Sequence, residues 1–322
     1  MNRLNSQHWT EYWKSGNATT FNNSFSKGYD EEIKIFWDRI FGQLKTNSKI
    51  VDFATGSGAL LNLAANYSIV NQKNFELIGI DFSDIEIRVP ERFNPDNFKV
   101  LANTSIEKTG LKDARSDLVV SQYGIEYANL SVALAEASRI SCKNSKIALI
   151  VHSDDSEIVK ESRINIQQVE LCTKKLKILN TTKRLVLLLE NKKRNELKNS
   201  DKKKADKYRN LINKDLVKLN NVINSEVQST FVAYFLNGIM KVFDSSNRHK
   251  LSVKDKLEIL ATLEQEIADY QLRLLDLMSA SLSESDGLEL RTLLEEHGYK
   301  IQLFEPIFYQ SSVVGTKVVA ER

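Results

Sequence analysis

The fold follows from the stretch Lys49-Ile50-Val51-Asp52-Phe53-Ala54-Thr55-Gly56-Ser57-Gly58-Ala59-Leu60-Leu61. Its first five residues are mostly apolar and predict a buried strand of a parallel sheet, in which apolar residues follow one another almost without interruption. Ala54, Gly56 and Gly58 then leave little side-chain bulk at alternate positions, so that a ligand can approach the backbone closely. The next residues predict a helix, whose N-terminal N–H groups would favour a carboxylate or a phosphate.

This stretch resembles the first motif of class I S-adenosylmethionine (SAM)-dependent methyltransferases, an apolar strand followed by an acid and three small residues at alternate positions. Ala54 stands where glycine is commonest in the family, and some members share this departure. The resemblance implies an α/β fold, a Rossmann-like seven-stranded, mostly parallel sheet with helices on both faces. It also implies SAM as cofactor, with S-adenosylhomocysteine (SAH) as product, and cofactor contacts from Asp52, Ala54, Gly56 and Gly58.

A second buried strand, within residues 75–83, ends in an acid, Asp81. In nucleoside-binding sheets of this kind, an acid at this strand end accepts hydrogen bonds from ribose hydroxyls. The resemblance therefore gives Asp81 that role and places Phe82 beside the cofactor. A helix is predicted to begin at Asp84, with Ser83 or Asp84 as its N-cap.

The segment after the third strand, residues 98–102, is the predicted adenine side of the site. Related enzymes often carry an acid here, followed by a small apolar residue, and both meet the adenine ring. Ser105 occupies the position of the acid and Ile106 that of its neighbour. Because serine replaces a carboxylate only in part, Asn103 could supply an amide oxygen instead.

Residues 116–127 form the second motif, a fourth strand that leads into Ser121-Gln122-Tyr123. This segment resembles the methyltransferase group that includes quinone-biosynthesis enzymes. The resemblance implies that Ser121 and Gln122 face the cofactor and that Tyr123 faces the substrate. The pattern Asn/Asp-Pro-Pro-Tyr/Phe, which amide- and adenine-nitrogen methyltransferases use, does not occur in the sequence.

The fifth strand, residues 146–152, ends in His152, which is a candidate general base for a hydroxyl or phenol acceptor. The alternative is a structural histidine. The expected order of elements then breaks. The closing helix, predicted from Asp286 to His297 with Ser285 or Asp286 as its cap, and the last two strands appear only about 130 residues later. Residues 153–285 are therefore predicted to be a long α-helical insertion between strand 5 and the last helix.

The domain organisation predicted from this order has three parts. Residues 1–45 form an aromatic-rich N-terminal segment that ends in an amphipathic helix. Residues 46–152 and 286–322 form the Rossmann-like cofactor-binding domain, and residues 153–285 serve as a lid, an arm or a partner-binding surface. The polar, aromatic stretch before the helix suits a flap over a cleft, so the candidates for contact with the ligands are Tyr12, Trp13 and Tyr29.

The insertion has an uneven charge. Residues 160–218 contain 18 Lys and Arg against 7 Asp and Glu, whereas the whole chain carries a net charge of +3. These charges are either a solvated helix face or a docking surface for an anionic partner, which could be nucleic acid, acidic protein or lipid. Aromatic residues that could stack on bases are nearly absent there, which leaves single-strand RNA recognition unsupported.

The remaining composition excludes several classes of protein. The 322 residues, 42% of them apolar, suffice for one large domain with an insertion. Cys142 and Cys172 form no disulfide or metal-binding pattern, so no metal site is predicted and a cytoplasmic location is expected. The first ten residues lack the apolar core of a signal peptide, and no apolar run is long enough to span a membrane.

The sequence therefore predicts a SAM-dependent methyltransferase that acts on a small or medium-sized acceptor. The first alternative is a methyltransferase whose macromolecular substrate, RNA or protein, docks on the basic helical insertion. The second is a non-catalytic subunit of methyltransferase fold that recruits a partner. A nicotinamide dehydrogenase is disfavoured, since its fingerprint needs a further glycine near Leu61. The acceptor atom and the oligomeric state do not follow from the sequence.

Overall fold

A computed structural model describes residues 7–20, 31–194, 198–223, 230–243 and 251–322. Within these residues the strands are β1 (Lys49–Phe53), β2 (Glu76–Ile80), β3 (Phe98–Leu101), β4 (Ser116–Gln122), β5 (Ser141–Val151), β6 (Lys300–Tyr309) and β7 (Ser312–Glu321). The helices are α1 (Gln7–Lys14), α2 (Glu31–Gly42), α3 (Ala59–Val70), α4 (Leu130–Ile140), α5 (Glu157–Glu170), α6 (Ile178–Arg194), α7 (Asn199–Ile223), α8 (Thr230–Lys241), α9 (Val253–Ala280) and α10 (Glu284–Glu296).

The strands pair into one seven-stranded sheet of order β3-β2-β1-β4-β5-β7-β6. The first five strands run parallel to one another, and β7 runs antiparallel to both β5 and β6. The chain leaves β1 towards one edge and later returns on its other side as β4. Ligands of open α/β sheets bind at such a reversal, outside the carboxyl ends of the strands.

Helices cover both faces of the sheet, because the side chains of each strand alternate between them. On one face, α2 and α3 pack over Ile50 of β1 and Leu118 of β4. On the other face, α4 and α10 pack over Val51 and Val119 of the same two strands. Both faces are therefore buried, which explains why these strands read as continuous apolar runs. The predicted fold class, including the helical insertion, is confirmed.

The connection between β2 and β3 differs from the prediction. A helix was expected to begin at Asp84, but residues 82–94, all of them described, contain no helix. Ile85, Ile87 and Val89 place apolar side chains at alternate positions, which suits extended backbone, and Pro90 disfavours helical backbone at the residue before it. The segment instead has no regular secondary structure, and Ile85 is buried.

The closing helix begins earlier than predicted. The predicted cap was Ser285 or Asp286, whereas Ser283 is the N-cap of α10. The hydroxyl of Ser283 accepts the N–H of Asp286, and the carboxylate of Asp286 accepts the N–H of Ser283. This reciprocal pair is a capping box in which aspartate takes the place of the usual glutamate.

The described chain divides into two compact units. The first comprises Met1–Lys160 with Asp276–Arg322, and the second comprises Glu161–Leu275. The second unit is helical and has its own core, in which Phe235 and Val232 of α8 are fully buried beside Leu260 of α9. The described part of the chain has no helix that combines the length and apolar character needed to cross a membrane.

Candidate functional site

The turn between β1 and α3 has left-handed backbone at each of its three small residues. Ala54, Gly56 and Gly58 have φ angles of 57°, 54° and 81°, which lie in the left-handed region. Glycine reaches this region at little cost, whereas alanine rarely does. The turn is held in place by the Thr55 N–H, which donates to the carbonyl of Ile80 at 3.0 Å. The backbone of this turn is thereby fixed against the end of β2.

Asp81 follows β2 directly and lies against the same turn. Its Oδ2 accepts the N–H of Gly56 and its Oδ1 accepts the N–H of Ser83, each at 2.8 Å. The side chain is 7% exposed. Burial raises the pKa of Asp81, and the two backbone donors oppose this shift. The predicted ribose acid thus lies at the carboxyl end of the sheet, next to the glycine-rich turn.

A second acid, Asp52, lies at the other side of the turn. It is 1% exposed, and its Oδ2 accepts the hydroxyl of Thr55 at 2.5 Å. Burial raises its pKa to about 8; the hydrogen bond from Thr55 acts to lower it, and the charge of Asp81 acts to raise it further. The structure therefore brings together two buried, electrostatically coupled carboxyl groups at positions 52 and 81.

The residues of the predicted adenine side lie in the loop after β3. This loop is joined to β2 because the Thr104 N–H donates to the carbonyl of Asp81 at 2.8 Å. The exposed Asn103 donates its amide to Asp84 at 3.2 Å, and Ser105 accepts the N–H of Glu107 at 3.2 Å. Two further candidates for contact with the cofactor differ in exposure: Ile106 is buried, and Phe82 is 47% exposed. Their contacts with adenine stay predictions.

The residues after β4 reach the same edge of the sheet. Ser121 donates its hydroxyl to the carbonyl of Phe53 at 2.8 Å, so its side chain ties β4 to β1. Gln122 is 8% exposed, and its Oε1 accepts the indole N–H of Trp37. Its Nε2 has no hydrogen-bond partner within the described residues. Tyr123 has a left-handed φ of 54°, and its hydroxyl donates to the carbonyl of Val314 at 3.0 Å.

The N-terminal segment covers this edge. A Cβ atom added at Gly56 would come within 2.7 Å of Cζ2 of Trp13, which shows that the indole packs on the turn. The hydroxyl of Tyr12 donates to the carbonyl of Thr19 at 2.7 Å, and the Ser57 hydroxyl donates to the carbonyl of Ala18 at 2.5 Å. Tyr12 and Trp13 thus belong to a cover over the turn. The third flap candidate, Tyr29, lies outside the described residues.

A small cavity of about 30 Å³ remains beneath this cover. Its lining residues are Trp13, Ala18, Thr19, Thr20, Asp52, Ala54, Thr55, Gly56, Ser57, Ala59, Leu60, Gln122 and Tyr123. Pockets that hold drug-sized ligands have volumes of roughly 300–1,000 Å³. In this conformation the cavity has room for little more than water. A nucleoside would therefore have to displace the indole of Trp13 from the turn.

A cluster of polar and aromatic side chains lies beyond Tyr123, at the carboxyl ends of β4 and β5. The imidazole of His152 stacks on the ring of Tyr123, with 4.6 Å between ring centroids and an angle of 20° between the planes. His152 is fully buried, and burial lowers its pKa to about 3. Such a histidine is neutral at pH 7 and is a weak proton acceptor. The assignment of His152 as general base stays a prediction.

Several members of this cluster were not predicted as site residues. Glu126 accepts the backbone N–H of His152 at 2.8 Å. Asp276 contacts Nε2 of His8 at 2.6 Å and accepts the indole N–H of Trp9 at 3.0 Å. Glu126 lies within the second motif, where an acid beside aromatic residues could have indicated it. Asp276 and Trp9 are separated by 267 positions, so only the tertiary structure joins them. Among the described residues no group of three His, Cys, Asp or Glu side chains is arranged to hold a metal ion.

One known protein family matches part of the chain. Residues 51–149 match the family described as Methyltransferase domain. None of the curated proteins matches the chain. Among solved structures, a SAM-dependent methyltransferase from Aquifex aeolicus is 10% identical, with 97% of each chain covered and a TM-score of 0.41.

Two further solved structures cover less of the chain. A putative methyltransferase from Haloferax volcanii, in complex with the Trm112 methyltransferase activator, is 17% identical over 45% of this chain and 60% of its own, with a TM-score of 0.34. Geranyl diphosphate C-methyltransferase from Streptomyces coelicolor is 15% identical over 38% of this chain and 45% of its own, with a TM-score of 0.31. The chain thus spans about half the length of these two proteins. The assignment of the fold therefore depends on the sheet order and on the family match.

Proposed function

The chain contains a class I, SAM-dependent methyltransferase domain, and on this basis we propose that it transfers the methyl group of SAM to a small or medium-sized acceptor. One observation carries the proposal. Asp81, at the carboxyl end of β2, accepts the N–H of Gly56 in the turn that leads into α3. An acid and a bare backbone are therefore joined beside the reversal of strand order, where open sheets bind nucleosides.

The residues present fit the chemical groups of this cofactor. Asp81 supplies carboxylate oxygens to ribose hydroxyls, and the N–H groups at the start of α3 favour the carboxylate of the methionine part. The side-chain N–H₂ of Gln122, which lines the cavity, can donate to a bound ligand. When bound, SAM supplies a methyl group made electrophilic by a sulfonium. The task of the chain is to position the acceptor in line with that methyl group and to exclude water.

The cover over the turn has to move for the cofactor to enter. The cavity of about 30 Å³ is too small for a nucleoside, and the indole of Trp13 occupies the space above Gly56. Helix α1 is held there mainly by side-chain contacts, such as the ion pair between Lys14 and Asp84 on the surface. Exposed pairs of this kind contribute only about 0–1 kcal/mol, whereas the contacts of His8 and Trp9 with the buried Asp276 also hold α1 in place.

A macromolecular substrate is a second candidate, favoured by the surface of α7. Lys203, Lys207 and Lys214 are exposed and fall at spacings that place them on one side of that helix. A row of exposed lysines suits RNA or an acidic protein. Retention of the whole chain on RNA or on an acidic protein that falls steeply with added salt would favour this candidate.

Calorimetry with SAM tests the proposed function. We expect the wild-type chain to bind SAM and Asp81→Ala to bind at least about tenfold more weakly, because a hydrogen bond to a charged group is lost. Asp96→Ala is the matched control, since Asp96 is an exposed aspartate in the turn before β3. Unchanged affinity in Asp81→Ala would remove Asp81 from the ribose site. A folded wild-type chain that binds no SAM, but forms a stable complex with another protein, would favour a non-catalytic subunit.

A further inference from the structure

We propose that the methyl acceptor binds against Glu126 and Tyr127 through an O–H or N–H group, and that Glu126 receives the proton which this group releases. The inference rests on the proposed function, because it needs a methyl donor in the neighbouring cavity. It adds the chemical class of the methyl acceptor and the residue that receives the proton from it. Both residues lie in a single 3₁₀ turn, Ile125–Tyr127, directly after β4.

Glu126 has a buried carboxylate, only one oxygen of which accepts a hydrogen bond within the described residues. Oε1 of Glu126 accepts the backbone N–H of His152, but Oε2 has no hydrogen-bond partner within the described residues. The side chain is 6% exposed, so solvent does not replace the partner. An unsatisfied buried polar group is destabilising, and native chains seldom leave one without a reason. A donor group on a ligand would satisfy it.

Tyr127, the next residue, has a similar environment. Its hydroxyl is also buried and has no hydrogen-bond partner among the described residues. The centroid of its ring lies 5.7 Å from that of Trp9, with 87° between the ring planes. The imidazole of His152 lies 6.0 Å away by the same measure, at 72°. The polar atoms of Glu126 and Tyr127 are thus set among aromatic rings. Such a surface suits a small planar or amine-bearing molecule with one polar group.

Tyr123 and His152 connect Glu126 and Tyr127 to the proposed cofactor cavity. Tyr123 lines the cavity beneath Gly56, and its ring stacks on the imidazole of His152. The backbone N–H of His152 donates to Glu126. The cluster therefore lies next to the proposed cofactor cavity, at the ends of the neighbouring strands β4 and β5. Methyl transfer needs donor and acceptor sites in direct contact, because the reacting atoms must lie about 3–3.5 Å apart.

The charges around Glu126 agree with proton transfer. Burial raises its pKa to about 7, and the backbone N–H groups of His152, Glu126 and Gly124 act to lower it. A general base works best when its pKa lies near the working pH. The groups packed near it are Tyr127, which burial and the charges of Glu126 and Asp276 keep protonated by raising its pKa, and His152, which burial keeps neutral. The carboxylates of Glu126 and Asp276 would repel a negatively charged methyl acceptor.

The proposed step balances without a further reactant. The lone pair of the acceptor forms the new bond to the methyl carbon, and the sulfur–carbon bond breaks with its electron pair left on sulfur. Oε2 of Glu126 takes the proton from the acceptor oxygen or nitrogen. Tyr127 holds the acceptor by a hydrogen bond from its hydroxyl.

The test uses the whole chain with SAM and three probes, p-cresol, benzylamine and benzoate, and measures release of SAH. We expect turnover of p-cresol or benzylamine, which distinguishes an O–H from an N–H acceptor, and none of benzoate. Glu126→Gln keeps an oxygen for the His152 N–H but loses the base, so kcat should fall about 100-fold. The Kd for SAM should change less than twofold. Glu86→Gln, an exposed glutamate, is the control.

The pH profile gives a second readout. Wild-type kcat should rise with pH through about 7 as Glu126 loses its proton, and Glu126→Gln should lose this rise. Tyr127→Phe keeps the ring and should weaken acceptor binding about tenfold, seen as a raised KM. If SAM binds but neither p-cresol nor benzylamine reacts, or if Glu126→Gln matches the wild type, the inference is wrong. If SAM itself does not bind, it is the proposed function that fails.

Discussion

The indole of Trp13 packs on Gly56, so closely that a Cβ atom at Gly56 would lie 2.7 Å from Cζ2 of the ring. Gly56 also donates its N–H to Asp81. The residue that links the turn to the predicted ribose acid is therefore the residue that the N-terminal segment covers. The cover and the cofactor compete for one space, and this competition makes Trp13 the most informative residue to change.

Trp13→Ala should increase the affinity for SAM. Removal of the indole opens the space above Gly56, so SAM no longer has to displace the ring in order to bind. If the open form is about 10% populated in the wild type, the Kd should fall about tenfold. Calorimetry measures the change.

Lys14→Ala is the control for this experiment. It lies on the same helix, and its exposed ion pair with Asp84 leaves the cavity untouched. We expect a change in Kd of less than about threefold, since exposed ion pairs are weak. Equal effects of the two variants would mean that general loosening of α1, and not the indole, sets the affinity. Weaker binding by Trp13→Ala would mean that the ring contacts the cofactor.

Asp52→Asn should alter the pH dependence of stability. Burial raises the pKa of Asp52 to about 8, with Thr55 opposing and Asp81 reinforcing this shift. Between about pH 4 and pH 8 the folded chain holds a proton that the unfolded chain has released, so the stabilising contribution of Asp52 declines as pH rises through this window. Asparagine cannot titrate. The free energy of unfolding of Asp52→Asn minus that of the wild type should therefore increase from pH 5 to pH 8, as measured by urea unfolding. A constant difference would contradict the raised pKa.

Glu136→Gln should destabilise the fold at neutral pH. Glu136 accepts the N–H and hydroxyl of Thr109 at 2.7 Å and 2.5 Å, and two N–H groups of Arg139 at 2.6 Å and 2.7 Å. Burial acts to raise the pKa of Glu136, but these donors lower it to about 2. Its stabilising contribution is present above about pH 4.5 and is lost as pH falls towards 2. We expect a loss of about 2 kcal/mol at pH 7 and a smaller one at pH 3.

The control for Glu136→Gln is Glu289→Gln, an exposed glutamate of α10. Urea unfolding of this variant should match the wild type within about 0.5 kcal/mol, as expected for a surface change. A penalty for Glu136→Gln that does not shrink between pH 7 and pH 3 would show that packing, and not the charge, accounts for the loss.

The parts of the fold that were predicted correctly depend on local pattern. Buried strands read as apolar runs, and the second strand, predicted within residues 75–83, is β2 (Glu76–Ile80). The predicted helix at Asp84 was wrong because a capping residue is a weak signal beside alternating β-branched residues and a proline. The cap of α10 lies at Ser283, two residues before the predicted choice, since several Ser and Asp residues there can serve.

Only the site residues that lie within a recognisable sequence motif could be predicted. The structure brings Asp52, Gly56, Asp81 and Gln122 to one edge, as the strand order requires, although their contacts with SAM stay predictions. The cluster around Glu126 was missed because its partners come from distant parts of the chain. The contact between Trp9 and Asp276 depends on the return of the chain to the sheet after the second unit. No local pattern encodes such a contact. The resemblance to the quinone-biosynthesis group also stays a prediction.

A crystal structure of the chain with SAH tests the central claim most directly. The account predicts ribose hydroxyls within hydrogen-bond distance of the Asp81 carboxylate, with the SAH carboxylate near the start of α3 and the Trp13 indole moved off Gly56. SAH bound away from this edge, or Trp13 still packed on Gly56 with the nucleoside elsewhere, would contradict it.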